Sequence, residues 1–113
     1  MSRKASGLKA WVVQRATAIY LALFSLYLVL HFLFAPPADY EAWRGWVTRP
    51  WVSLGLLIFV PSLLAHAWVG IRDVLLDYVR PIGLRVTILT LFAFVFIASG
   101  LWALQALMLA RMA

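Results

Sequence analysis

Three stretches of roughly twenty predominantly apolar residues limit what this chain can become. Residues 16–34 read ATAIYLALFSLYLVLHFLF, and residues 51–71 read WVSLGLLIFVPSLLAHAWVGI. The third lies within 86–110, VTILTLFAFVFIASGLWALQALMLA. A helix rises about 1.5 Å per residue, so about 20 apolar residues cross the hydrocarbon core of a bilayer. No water reaches that core, and backbone groups there must pair within their own helix. Each stretch therefore predicts a transmembrane helix. The expected fold class is all-α, with three spans at about 12–34, 51–79 and 83–110 in one domain covering residues 1–113. The segment APPADYEAWRGWVTRP between the first two spans reads as a loop, because its prolines and charges end one helix and precede the next.

Composition supports a membrane protein. Hydrophobic residues make up 65% of the 113 and charged residues 12%, against about 45–50% and 25% in ordinary globular domains. A soluble domain of this length could not hide so much apolar surface. The absence of cysteine excludes disulfides, thiolate zinc sites and cysteine-held iron–sulfur clusters on this chain. The net charge of +6 would suggest nucleic acid in a soluble protein. In a membrane protein it reflects cytoplasmic loops and anionic lipid, so no nucleic-acid partner is expected. The basic N-terminal segment lacks a small-residue cleavage site and leads into a long span, which reads as a retained first helix and not a signal peptide.

Orientation follows from where Lys and Arg gather near the span ends. The N-terminal segment holds Arg3, Lys4, Lys9 and Arg15, and the second loop holds Arg72, Arg80 and Arg85. The first loop has only Arg44 and Arg49, and the tail only Arg111. The expectation is a cytoplasmic N-terminus and second loop, with the C-terminus periplasmic. Trp43, Trp46 and Trp51 then gather at the outer face, where indoles anchor among headgroups.

The second span carries the chemistry. Its end reads HAWVGIRDVLLDYVRP over residues 66–81, and ionisable residues in a membrane are costly unless they find a partner. If the helix continues toward Pro81, Gly55, His66, Asp73 and Asp77 fall within about 20° of one line, with Ser62 and Gly70 about 40° away. Small residues on such a stripe let a neighbouring backbone or a flat cofactor approach. Pro61 should kink this helix and free the carbonyl of Leu57. His66 has two readings: a packing histidine bonded to a neighbouring helix, or a metal or haem ligand through neutral imidazole. His31 lies about 24 Å deeper than Arg15 along the first helix, in a stripe with Tyr20, Phe24 and Tyr27. It reads as an interfacial or packing histidine, so a second axial ligand would come from another chain.

The motif HAWVGIRDVLLDYVRP closely resembles the hydrophobic membrane anchor subunits of succinate dehydrogenase, the smaller cytochrome b-type subunits of respiratory complex II. That family shows a helix-two histidine followed eleven and twelve residues later by Asp-Tyr, and His66, Asp77 and Tyr78 reproduce the spacing. The start of span one, VVQRATAIYLAL, resembles the family's segment around Arg-Ala-Thr-Ala. The resemblance implies a membrane-anchor domain in the bacterial inner membrane, beside a larger cytochrome b subunit, an iron–sulfur subunit and a flavoprotein subunit. It implies His66 as one axial ligand of a haem b shared with the larger cytochrome subunit, and Arg15 near the haem propionates. It also implies Tyr78 as hydrogen-bond donor to ubiquinone, with Asp77 holding that tyrosine and relaying protons. FAD and iron–sulfur clusters would sit on the partner subunits only. The chain would then be part of an enzyme without being catalytic alone. Some bacterial members carry a histidine six residues before the first-span arginine, where this chain has Lys9. Arg72 and Asp73 take no role from the family; as an ion pair they would suit a surface that docks soluble subunits.

Bare residue chemistry leaves room for other readings. A phenol beside a carboxylate at a helix end can supply the donor and the proton route that quinone reduction needs. The same pair also suits an interfacial tyrosine and a solvated helix end. A small transporter would want a carboxylate deep in a span, whereas Asp39, Glu41, Asp73 and Asp77 fall in loops or at helix ends. The remaining alternatives are a haem-free anchor of a related quinone-linked reductase such as fumarate reductase, and a small haem-free membrane scaffold.

Overall fold

The computed structural model describes the backbone of residues 3–112 and the side chains of residues 7–112. The side chains of Arg3 and Lys4, counted above for orientation, lie outside that range. The described residues form four helices: α1 (Arg3–Phe34), α2 (Tyr40–Val47), α3 (Pro50–Tyr78) and α4 (Ile82–Met112). Three of them, α1, α3 and α4, are long and apolar enough to cross a membrane.

Helix α3 is central, with its backbone packed closely against both α1 and α4. Its pairings run antiparallel to both neighbours. Gly55 and Gly70 of α3 approach Phe24 and Gln14 of α1 respectively, and Trp68 stands edge-on to Phe96 of α4. Glycines make the closest approaches possible. A Cβ added at Gly55 would run into the Phe24 ring, and one at Gly100 of α4 would come within 2.6 Å of Leu64 Cδ1. The glycine and histidine positions of the α3 stripe thus face α1. Pro50 begins α3, where a missing N–H costs nothing. The helix then runs through Pro61 to Tyr78, so the continuation past residue 71 on which the stripe depends is present.

The first loop contains a helix that hydropathy did not reveal. Asp39 caps α2 by accepting a hydrogen bond from the Ala42 N–H at 2.8 Å, which satisfies one of the free donors of a helix start. Trp46 and Val47 turn inward and join Val52, Leu107 and Ala110 in a small buried core. Arg44 of α2 donates from Nε to the Ala110 carbonyl at 2.8 Å, supplying a partner to the α4 C-terminus. The well-buried core is therefore gathered where α2, the start of α3 and the end of α4 meet. This aromatic end of the molecule also holds the end of α1. The opposite, basic end holds the start of α1, the end of α3 and the start of α4.

Candidate haem and quinone site

His66 is half-buried on α3, facing α1. Its Nδ1 lies 3.1 Å from Thr17 Oγ1, and that hydroxyl also donates to the Val13 carbonyl at 2.6 Å. Between α1 and α3 opens a cavity of about 570 Å³ whose lining includes His66, Arg15, Trp11, Gln14, Arg72 and Asp73. The Arg15 guanidinium sits 5.6 Å from the centroid of the Trp11 ring, a geometry in which the ring face attracts the cation. His66 and Arg15, placed on different helices by sequence reading, thus share one cavity. Lys9 is not among its lining residues.

Two polar atoms in the wall of this cavity are buried without a hydrogen-bond partner among the described residues: Gln14 Oε1 and Arg72 Nε. Buried polar atoms are satisfied in most native structures, and an exception calls for an explanation such as strain, a catalytic role or an ordered water or ion. Arg72 does reach Asp73 Oδ1 with its terminal amine at 3.2 Å. The pair expected at a docking surface therefore forms, but it rims the cavity. Among the described residues, no group of three or more potential metal-ligating side chains exists. One imidazole and the Arg15 guanidinium, with Arg72 already paired to Asp73 and small or apolar residues around them, suit an amphiphilic ring bearing carboxylates, with one metal bond from this chain.

Asp77 and Tyr78 lie elsewhere. Tyr78 is twelve residues beyond His66, about 18 Å along the helix axis, and is 80% exposed. Asp77 is also exposed, and neither side chain makes a hydrogen bond or ion pair among the described residues. What holds this corner is Arg85 at the start of α4. Its guanidinium donates to the Val79 carbonyl at 2.9 Å and to the Leu76 carbonyl at 3.3 Å, closing the C-terminus of α3 beside the Asp-Tyr pair. Sequence reading counted Arg85 only as a charge. Its spacing from α3 across Pro81 and Gly83 was the available signal.

His31 belongs to the aromatic end, stacked on Trp46 with ring centroids 4.6 Å apart and tilted against Tyr27 at 5.8 Å. Trp46 in turn donates its indole N–H to the Tyr27 hydroxyl at 3.0 Å. A histidine in such a stack is a packing residue.

Comparison with known proteins decides the family. Residues 1–102 match the model of the succinate dehydrogenase/fumarate reductase transmembrane subunits. The chain belongs to that family. It is 29% identical over 105 residues to a succinate dehydrogenase hydrophobic membrane anchor subunit of Coxiella burnetii, covering 93% of this chain and 91% of the relative. A protein of the same description from Rickettsia felis is 37% identical over 99 residues, covering 85% and 82%. Another from Rickettsia conorii is 37% identical over 85 residues, covering 74% and 68%. With three apolar spanning helices and this membership, the chain is a multi-pass membrane protein.

Proposed function

We propose that this chain is the hydrophobic anchor subunit of a bacterial succinate dehydrogenase, sharing a haem b with the larger cytochrome subunit and completing a ubiquinone-reduction site. The observation that carries the reading is the cavity between α1 and α3, where His66 stands with Arg15, Arg72 and the unpartnered polar atoms of Gln14 and Arg72. In it His66 would supply one axial nitrogen, and Arg15 would hold a propionate by a charge-assisted hydrogen bond. A haem held there supplies one-electron redox capacity close to the quinone. A residue of the larger cytochrome subunit would complete the hold on the haem, since His31 is committed to the aromatic end.

Quinone reduction adds two electrons and two protons to the ring carbonyls. Electrons would arrive from iron–sulfur clusters on a companion subunit, fed by succinate oxidation on a flavin of another. Tyr78 would donate its phenolic hydrogen bond to a quinone oxygen, and Asp77 would pass protons from the aqueous side. Exposure of Tyr78 within the single chain fits a residue that closes its site only against partner subunits. The positive end would face the cytoplasm, with the C-terminus periplasmic.

The test is purification of the complex through a tag on this chain, followed by a dithionite-reduced minus oxidised absorption spectrum and identification of the companions. Flavoprotein, iron–sulfur and larger cytochrome subunits together with a b-type signal are expected. His66→Leu should abolish or strongly reduce that signal. Companions without any b-type signal would instead identify a haem-free anchor. Unchanged haem content in the His66→Leu complex would remove His66 as ligand.

A further inference from the structure

The hydrogen bonds around Thr17 carry an inference about which nitrogen of His66 is available. A threonine hydroxyl has one hydrogen to donate and two lone pairs to accept with. Thr17 Oγ1 lies 2.6 Å from the Val13 carbonyl oxygen and 3.3 Å from that of Gln14. Two oxygens 2.6 Å apart require a hydrogen between them, and a carbonyl has none to give. The hydroxyl hydrogen of Thr17 is therefore spent on Val13. Facing His66 Nδ1 at 3.1 Å, Thr17 can only accept. A hydrogen bond across that gap then needs Nδ1 to carry the proton, which leaves Nε2 with the free lone pair.

We infer that Thr17 is a positioning residue: by accepting from Nδ1–H it fixes the His66 tautomer and ring angle so that Nε2 is the nitrogen offered to a metal. The inference rests on the reading of His66 as a haem ligand, and it adds the residue that makes this imidazole competent. The pattern on α1 is local and built by sequence. Thr17 lies four residues after Val13, where a helical hydroxyl reaches back to the carbonyl of the preceding turn. Its remaining lone pairs then point away from its own helix, toward α3. Glycine at residue 55 of α3 leaves room for the Phe24 ring of α1, so the two helices run close beside this contact. A metal-bound imidazole whose other N–H is bonded becomes a stronger donor, and loss of such a partner commonly lowers metal affinity about 10–100-fold. A stronger donor favours the more highly charged ferric state, so losing the Thr17 acceptor should raise the haem midpoint potential.

The experiment uses the purified complex carrying Thr17→Val or Thr17→Ser, with haem content from the redox-difference spectrum and midpoint potential from a redox titration. Thr17→Val removes the acceptor; Thr17→Ser keeps it. The expected result is a raised potential or a severalfold loss of haem in Thr17→Val, with both restored to parental values in Thr17→Ser. Parental potential and content in Thr17→Val would overturn the inference, as would a Thr17→Ser complex that shares the Thr17→Val defect. If Thr17→Val does not assemble, Thr17→Ala takes its place and is judged by the same two readings. Absence of a b-type signal in the parental complex is a separate failure, because it defeats the ligand reading of His66 itself.

Discussion

Gly55 and Tyr78 show how differently single residues of one helix are constrained. At Gly55 an added Cβ would strike the Phe24 ring, and the Gly55 carbonyl accepts from the Tyr20 hydroxyl at 2.5 Å. Gly55→Ala should therefore push the Phe24 ring against Tyr20, Tyr27 and Phe59 at a cost of about 1–3 kcal/mol, as overpacking does. Thermal inactivation of the complex would read this as a lower midpoint temperature. Gly83→Ala is the control, since an added Cβ there meets nothing within 4 Å and alanine is the better helix former. Its midpoint should be unchanged or slightly higher. Tyr78 has no packing to lose, being largely exposed. On the proposed quinone role, Tyr78→Phe should leave haem content at the parental level and slow succinate-to-ubiquinone electron transfer by about a hundredfold, the lower bound for losing a positioned hydrogen-bond donor. Parental quinone reduction in that variant would remove Tyr78 from the site.

At the scale of elements, what the sequence revealed depended on whether the information lay within one helix. The His66 stripe was legible because rotation along α3 needs only residue spacing, and the helix does run to Tyr78. Helix α2 was not legible by hydropathy: it has only eight residues, mixes charges with tryptophans, and follows two prolines. Its visible signal was Asp39, a capping residue placed three before the Ala42 N–H it satisfies. Asp39→Ala should cost about 1 kcal/mol of local helix stability, and Asp39→Asn should restore most of it. Hydrogen exchange at residues 40–47 would detect faster opening in the first variant alone. Equal protection in Asp39→Ala and the parent would show that the buried Trp46 and Val47, not the cap, hold α2 in place. The Thr17 contact was hidden for a different reason. The pairing of α1 with α3 places Gly55 of one helix against Phe24 and Tyr20 of the other, so neither stretch reveals it alone. The Asp77–Tyr78 corner was found by motif, while the Arg85 clasp beneath it needed the turn into α4.

The whole molecule is an elongated body of 49 × 25 × 25 Å, long enough to cross a bilayer. Its radius of gyration is 17.3 Å, against about 13 Å for a compact domain of this length. Large apolar side chains are exposed on all three spans, Ile19, Leu54 and Phe94 among them, and this surface is left for lipid and for companion chains. Charge divides the molecule by ends, with Arg15, Arg72, Arg80 and Arg85 at one and Arg44, Arg49 and Arg111 at the other. The cytoplasmic rule for Lys and Arg then makes a definite topology claim, and the lack of native cysteine gives a clean way to test it. Arg49 and Arg80 are both exposed and stand at opposite ends of α3. In intact spheroplasts, Arg49→Cys should react with a membrane-impermeant maleimide, whereas Arg80→Cys should react only after the membrane is opened. The reverse pattern would invert the molecule and put Tyr78 on the periplasmic side. A quinone site there could not draw protons or electrons from cytoplasmic partners, so this one labelling experiment bears on orientation and on the proposed chemistry together.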